Sequence, residues 1–140
     1  MRRFWLPLAL LLALSIAWLP TVSYTEDQDA ILLARTIYAL ARDESYDTKL
    51  AIGTVVMNRV DSAWFGDSLT EVLTEHMQFP QGNRYDDDCL QAAHAVLSGT
   101  RTLDRSALYY QSIGAAEPYS EKTRIASVGG YAFYTSNGRL

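Results

Sequence analysis

The stretch "IYALARDESYDTKLAIGTVVMNRV", residues 37–60, decides the fold. It reads as the end of one helix, an acidic turn and a second helix, with Asp43, Glu44 and Asp47 crowding the junction. Upstream, "TEDQDAILLARTIYALAR" opens with Thr25 and Gln28 in capping-box spacing. Ala30, Leu33, Ala34, Ile37, Tyr38 and Ala41 then recur at i, i+3, i+4, i+7, which predicts a helix over about 27–43. Leu33 and Leu40 fall at one edge of its apolar stripe, and Glu44, if the helix reaches it, projects near the same edge. Ser45 or Asp47 can cap the second helix. Its inner face carries Leu50, Ala51, Thr54, Val55 and Asn58. Gly53 in mid-helix costs about 1 kcal/mol against alanine, so close helix packing is expected there. The two helices should meet through Ala34, Ile37, Ala41, Ala51, Gly53 and Val55.

Further along, "AWFGDS" is a turn, "SLTEVLTEH" a short helix capped by Ser68, and "MQFPQGNRYDDD" a loop broken by Pro80 and Gly82. "DDDCLQAAHAVLSGT" is a third long helix with three acids at its N-terminus and Gly99 closing it. "ALYYQS" reads as a strand, "IGAAEPYSEKTR" as a loop, and "IASVGGYAFYTS" as a hairpin turning at Gly129–Gly130. Helices first and strands last give an α+β domain, mainly helical with a short C-terminal antiparallel hairpin or sheet.

The first 23 residues stand apart. Arg2 and Arg3 precede an apolar run from Phe4 to Leu19, followed by small or polar residues. This reads as a secretory signal peptide cut after Ser23, or as an uncleaved N-terminal anchor tethering the chain to a membrane. Either way residues 24–140 form one domain working outside the cytoplasm. Setting aside Arg2 and Arg3 leaves ten bases against sixteen acids, a net charge of −6. Nucleic acid is therefore excluded as a partner, since it requires a basic patch. A lone Cys89 allows no internal disulfide, so the core must carry the stability.

The chemical candidates narrow quickly. His76 and His94 lie in no metal-binding spacing, so neither a metal nor any other cofactor is expected. No GxSxG is present, and three aspartates precede Cys89, which blunts it as a nucleophile. Carboxylates remain. Glycoside cleavage needs a protonated acid beside the leaving oxygen, in a partly apolar setting. Glu44 is the glutamate so placed, while Glu26, Glu71, Glu75, Glu117 and Glu121 look solvated. The bland alternative for Glu44 is helix-end electrostatics or an ion pair with Arg42 or Arg59. Asn58 is either a core amide with satisfied hydrogen bonds or a groove residue. Gln78, Phe79, Tyr85, Tyr109, Tyr110, Tyr131 and Tyr134 supply the rings and amides of a glycan groove, though each tyrosine singly reads as packing.

Three blocks in order resemble the SleB-type cell-wall hydrolases, the spore cortex-lytic enzymes. They are "LARTIYALARDESYDTKLAIGTVVMNRV", "HMQFPQGNRYDDDCLQAAHAVLSG" and "ALYYQS…GGYAFY", spanning nearly all of 32–134. The resemblance implies a small lysozyme-like domain acting on peptidoglycan glycan strands in the wall or spore cortex. Cleavage there is by lytic transglycosylation or glycosidic hydrolysis, without metal. The residues themselves offer Glu44 as the catalytic candidate, with Leu40, Asn58, Gln78, Tyr85, Tyr109 and Tyr110 along the substrate, whereas the resemblance matches Glu44 to a glutamate usually read as supporting. One position departs from the pattern: the family's first glutamate, its catalytic acid, is matched by Leu40, while its second is kept as Glu44. Glu44 taking over the acid role, a mechanism through Asp43 or Asp47, and a non-catalytic relative that binds peptidoglycan or regulates an active hydrolase all remain open.

Overall fold

The computed structural model describes residues 24–75, 79–115 and 121–136. Four helices precede three strands: α1 (Tyr24–Ala41), α2 (Tyr46–Val60), α3 (Leu69–Thr74), α4 (Asp87–Leu97), β1 (Tyr109–Ser112), β2 (Lys122–Val128) and β3 (Tyr131–Ser136). The expected α+β order holds. The leader-or-anchor segment and its cut lie outside the described residues, and no described helix is long and apolar enough to cross a membrane.

α1 stops at Ala41, before Glu44. The chain turns there through Arg42 N–H to the Tyr38 carbonyl (3.2 Å) and Glu44 N–H to the Ala41 carbonyl (3.1 Å). Ser45 then caps α2, its Oγ accepting from Thr48 N–H at 3.3 Å. Ser68 caps α3 in the same way. At α4 it is Asp86 that caps, with Oδ1 accepting from Cys89 N–H at 2.9 Å, while Asp87 and Asp88 lie inside the first turn. Gly99 closes that helix with φ +110°, a conformation open to glycine.

The core keeps the expected pairing of α1 with α2 and adds α4 to it. α4 packs on both α1 and α2 more extensively than these two pack on each other. A Cβ on Gly53 would lie 3.0 Å from a Val96 methyl and 3.5 Å from Ile37 Cδ1, so the missing side chain admits α4 as well as α1. Leu33, expected at the stripe edge, is fully buried in the core that α1 shares with α4, whereas Leu40 stays half-buried at the margin. Phe79, Phe133, Ile37, Ile52 and Leu73 are fully buried, each worth about 1.5–3 kcal/mol of transfer free energy. Lys49, buried beneath α4, reaches Asp88 at 3.8 Å and ties α2 to that helix.

The sheet has the order β1-β3-β2, both pairings antiparallel. β2 begins at Lys122 rather than at Ile125, where the sequence reads as loop. Its first residues are polar because the strand lies at a sheet edge with most of its side chains exposed. A register shift falls between Arg124 and Ala126. The β2–β3 turn is Gly129–Gly130, as expected, with Gly129 at φ +54°.

Candidate functional site

The two-glycine turn of the hairpin lands on the α1–α2 junction. Gly130 N–H donates to Glu44 Oε2 at 3.2 Å. A Cβ on Gly129 would fall 2.3 Å from Thr48 Oγ1 and 2.4 Å from Glu44 Oε2, and one on Gly130 would fall 2.5 Å from Glu44 Oε1. Only bare backbone fits this closely. The next residue, Tyr131, donates its hydroxyl to the Leu40 carbonyl at 2.6 Å. Burial, and secondarily the charge of Glu44, pushes the Tyr131 phenol above its usual range. Sequence positions 86 and 91 residues apart are thus joined at one seam between the helical lobe and the sheet.

From this seam the rings run on in series. Tyr110 lies 6.1 Å from Tyr131 and stacks on Phe79 at 5.3 Å. Behind them the Arg59 guanidinium is buried over three rings, 4.7 Å from both Phe65 and Phe79 and 5.6 Å from Tyr109. Its Nε donates to the Leu108 carbonyl at 2.6 Å. This placement uses the cation's affinity for ring faces and braces α2 against β1. The Lys122 ammonium also lies over Tyr109, 4.3 Å from the ring centroid.

The structure sorts the expected residues accordingly. Glu44 and Leu40 are half-buried at the seam, and Tyr110 joins them through Tyr131. Glu44 is not held by an arginine: Arg42 turns to Asp43 at 3.3 Å, and Arg59 lies in the last turn of α2, about 20 Å away along the helix. Asp43 and Asp47 face solvent. Tyr109 belongs to the Arg59 cluster. Tyr85 is exposed in the loop before α4. Phe79 and Tyr134, read as groove candidates, are buried in the core. Asn58 serves as a brace, its Nδ2 donating to the carbonyls of Asp104 (2.9 Å) and Ala107 (3.1 Å), which fits the core-amide alternative. Gln78 and His76 lie outside the described residues. Of the glutamates expected to be solvated, Glu71, Glu75 and Glu121 are exposed.

Thr48 and the glycine pair are the residues that sequence reasoning left out of the site, while Tyr131, expected as a groove ring, instead ties the hairpin to Leu40. The one local signal was a Gly-Gly turn running into an aromatic residue. Cys89 is inert for a stronger reason than its acidic neighbours: burial, reinforced by Asp86, pushes its thiol up to about 12. Among the described residues no group of three or more His, Cys, Asp or Glu is placed to hold a metal ion.

A helical lobe with a carboxylate at a helix junction, closed by a small antiparallel sheet lined with tyrosines, defines a lysozyme-like α+β domain. The Cell Wall Hydrolase family profile matches residues 43–134, more than half of the chain, and the chain belongs to that family. The spore cortex-lytic enzyme of Bacillus subtilis is 36% identical over 89 residues, covering 60% of this chain and 29% of that enzyme. Its counterpart from Oceanobacillus iheyensis is 34% identical over 87 residues, covering 59% and 32%. The chain therefore spans less than a third of the length of these relatives. Among solved structures, the catalytic domain of the Bacillus cereus SleB protein superposes with a TM-score of 0.71 at 25% identity, over 78% of this chain and 91% of that one. The catalytic domain of the germination-specific lytic transglycosylase SleB from Bacillus anthracis gives 0.71 at 22% identity, over 83% and 99%, a likeness of fold.

Proposed function

We propose that this domain works outside the cytoplasm on peptidoglycan and cleaves its glycan backbone, with Glu44 as the proton donor. The observation that carries this reading is the fixing of Glu44 by the hairpin turn. One carboxylate oxygen accepts from Gly130 N–H while the side chain stays half-exposed near Tyr131. A general acid must be held within hydrogen-bond reach of the oxygen it protonates, and fixing it beforehand lowers the barrier. In this scheme the protonated Glu44 gives its proton to the glycosidic oxygen as the bond to the anomeric carbon breaks. Either water or the sugar's own hydroxyl then attacks that carbon, and the ionised Glu44 takes up the attacker's proton. Tyr110 and the exposed Tyr85 supply ring faces for the strand.

A second reading is favoured by one residue. Leu40 cannot transfer a proton, and it stands where the SleB-type pattern has its acid. On that reading the domain binds peptidoglycan, or regulates an active hydrolase, without cutting. One experiment separates the two. Purified peptidoglycan is incubated with residues 24–140, and released fragments are identified by mass spectrometry, anhydro ends marking transglycosylation. The first reading expects fragments that Glu44→Gln abolishes while binding persists. Sedimentation with insoluble peptidoglycan and no fragments from wild type replaces it with the second.

A further inference from the structure

At the opposite end of α2 from Glu44 lies a pocket of about 810 Å³, within the usual range for small-ligand sites. Its most prominent wall is Trp64, 65% exposed and, among the described residues, the most exposed large apolar side chain. Around the indole stand Asp61, Ser62, Asp104, Arg105 and Ser106. The pocket is built. Asn58 Nδ2, itself buried, holds the 104–107 loop by the carbonyls of Asp104 and Ala107. Trp64 N–H is set by Ser62 Oγ at 3.3 Å. Asp104 Oδ1 accepts from Ser106 N–H at 2.9 Å, and bonds from Ser106 hold the Asp104 carboxyl below its usual range, so it is a fixed anion.

These groups select a ligand class. A broad indole face takes the flat C–H face of a pyranose. Carboxylates and hydroxyls accept from and donate to sugar hydroxyls. Asp61 is paired with Arg101 at 3.5 Å, and Asp104 stands against Arg105, so the pocket carries no net charge and suits a neutral ligand rather than an anionic polymer. A helix of α2's length separates the pocket from Glu44 by about 22 Å. A strand long enough to bridge that distance reaches both; the sugar being cut reaches one.

We propose that the Trp64 pocket is a second glycan-binding site, taking a neutral β-linked N-acetylhexosamine segment and holding the polymer away from the Glu44 seam. The proposal rests on the peptidoglycan-directed reading but not on catalysis. The test is a titration of the full chain with the β-1,4-linked hexamer of N-acetylglucosamine, followed by tryptophan fluorescence and calorimetry. Wild type should show a saturable fluorescence change that Trp64→Ala abolishes, with affinity falling roughly tenfold, the scale for truncating an aromatic anchor. Trp64→Phe should recover most of the affinity, and Glu44→Gln should bind at Trp64 as wild type does. Because Trp64 is mostly exposed, these variants should melt like wild type. Wild-type affinity in Trp64→Ala, or a wild-type protein that ignores the hexamer, overturns the site. If wild type fails to cut peptidoglycan yet the hexamer perturbs Trp64, the pocket stands and cleavage falls. If it cuts peptidoglycan while Trp64 is undisturbed, the pocket falls and cleavage stands.

Discussion

Gly130→Ala should disable the site while sparing the fold. Gly130 does not adopt the left-handed backbone of Gly129, so an alanine there adds no dihedral strain, only a methyl. That methyl would stand 2.5 Å from Glu44 Oε1 and 3.5 Å from Cδ. Ordinary contact begins at 3.4 Å, so the oxygen must retreat by the difference, about 0.9 Å. The obstruction is the far end of a flexible, half-exposed side chain, and Glu44 can swing toward water. What is lost is its hydrogen bond to Gly130 N–H, about 1 kcal/mol net once water replaces the partner. For a domain of this size that lowers Tm by about 4 °C. The effect on chemistry is much larger, since a 1 Å misplacement of a reacting group can cost about 100-fold in rate. Fragment release should therefore fall by about two orders of magnitude while Tm falls by only about 4 °C. A second readout needs no activity. Tyr131 titrates high through burial and then through the Glu44 charge, so a displaced carboxylate should bring the ring's NMR titration nearer to an ordinary tyrosine. Gly99→Ala is the control: φ is +110° with nothing within 4 Å, so stability should drop without any change at Tyr131. If Gly130→Ala leaves both Tyr131 titration and fragment release at wild-type values, the hairpin does not hold Glu44 and the site is misassigned.

Leu40→Glu places a second carboxylate at the α1–α2 junction that carries Glu44. It should raise peptidoglycan clearance above wild type, and a folded variant with no gain in a turbidity assay would show that more than the acid is missing. Ile37→Asp buries a charge at a fully buried position and forfeits about 1.5–3 kcal/mol of apolar transfer besides, so circular dichroism should show it unfolded at room temperature. Asp86→Ala removes the α4 cap and should cost about 1 kcal/mol near neutral pH. Because Cys89 N–H holds the folded Asp86 carboxyl below its usual value, that contribution is present above the ordinary aspartate range and is lost as pH falls through the folded value. Denaturation curves of wild type and variant should therefore converge in acid.

Much of this structure could be read from short-range rules. The Ser45 and Ser68 caps, the Gly99 stop and the Gly129–Gly130 turn all follow from a residue's own neighbours, and each appears where the spacing put it. The misreadings have a common physical origin. Leu33, placed at the edge of the α1 stripe, is fully buried because periodicity on α1 takes no account of α4, which arrives more than fifty residues later and packs on the same helix. Lys122 to Arg124 looked like loop because an edge strand can be polar while its backbone pairs with β3. The site was legible in part. Glu44 and Leu40 were visible as a pair at a helix junction. Their partners, Gly130 and Tyr131, come from a hairpin whose own sequence says nothing of where it docks.

The hydrogen bond from Tyr131 ends on the main-chain carbonyl of residue 40, not on its side chain. Every amino acid carries that carbonyl, so the lock between sheet and helix is blind to what occupies position 40. A lineage can exchange the residue there without loosening the joint, and the joint preserves the shape of the site while its reactivity changes. The joint between sheet and helix therefore accepts leucine or an acid at this corner alike, whatever either side chain does to the chemistry.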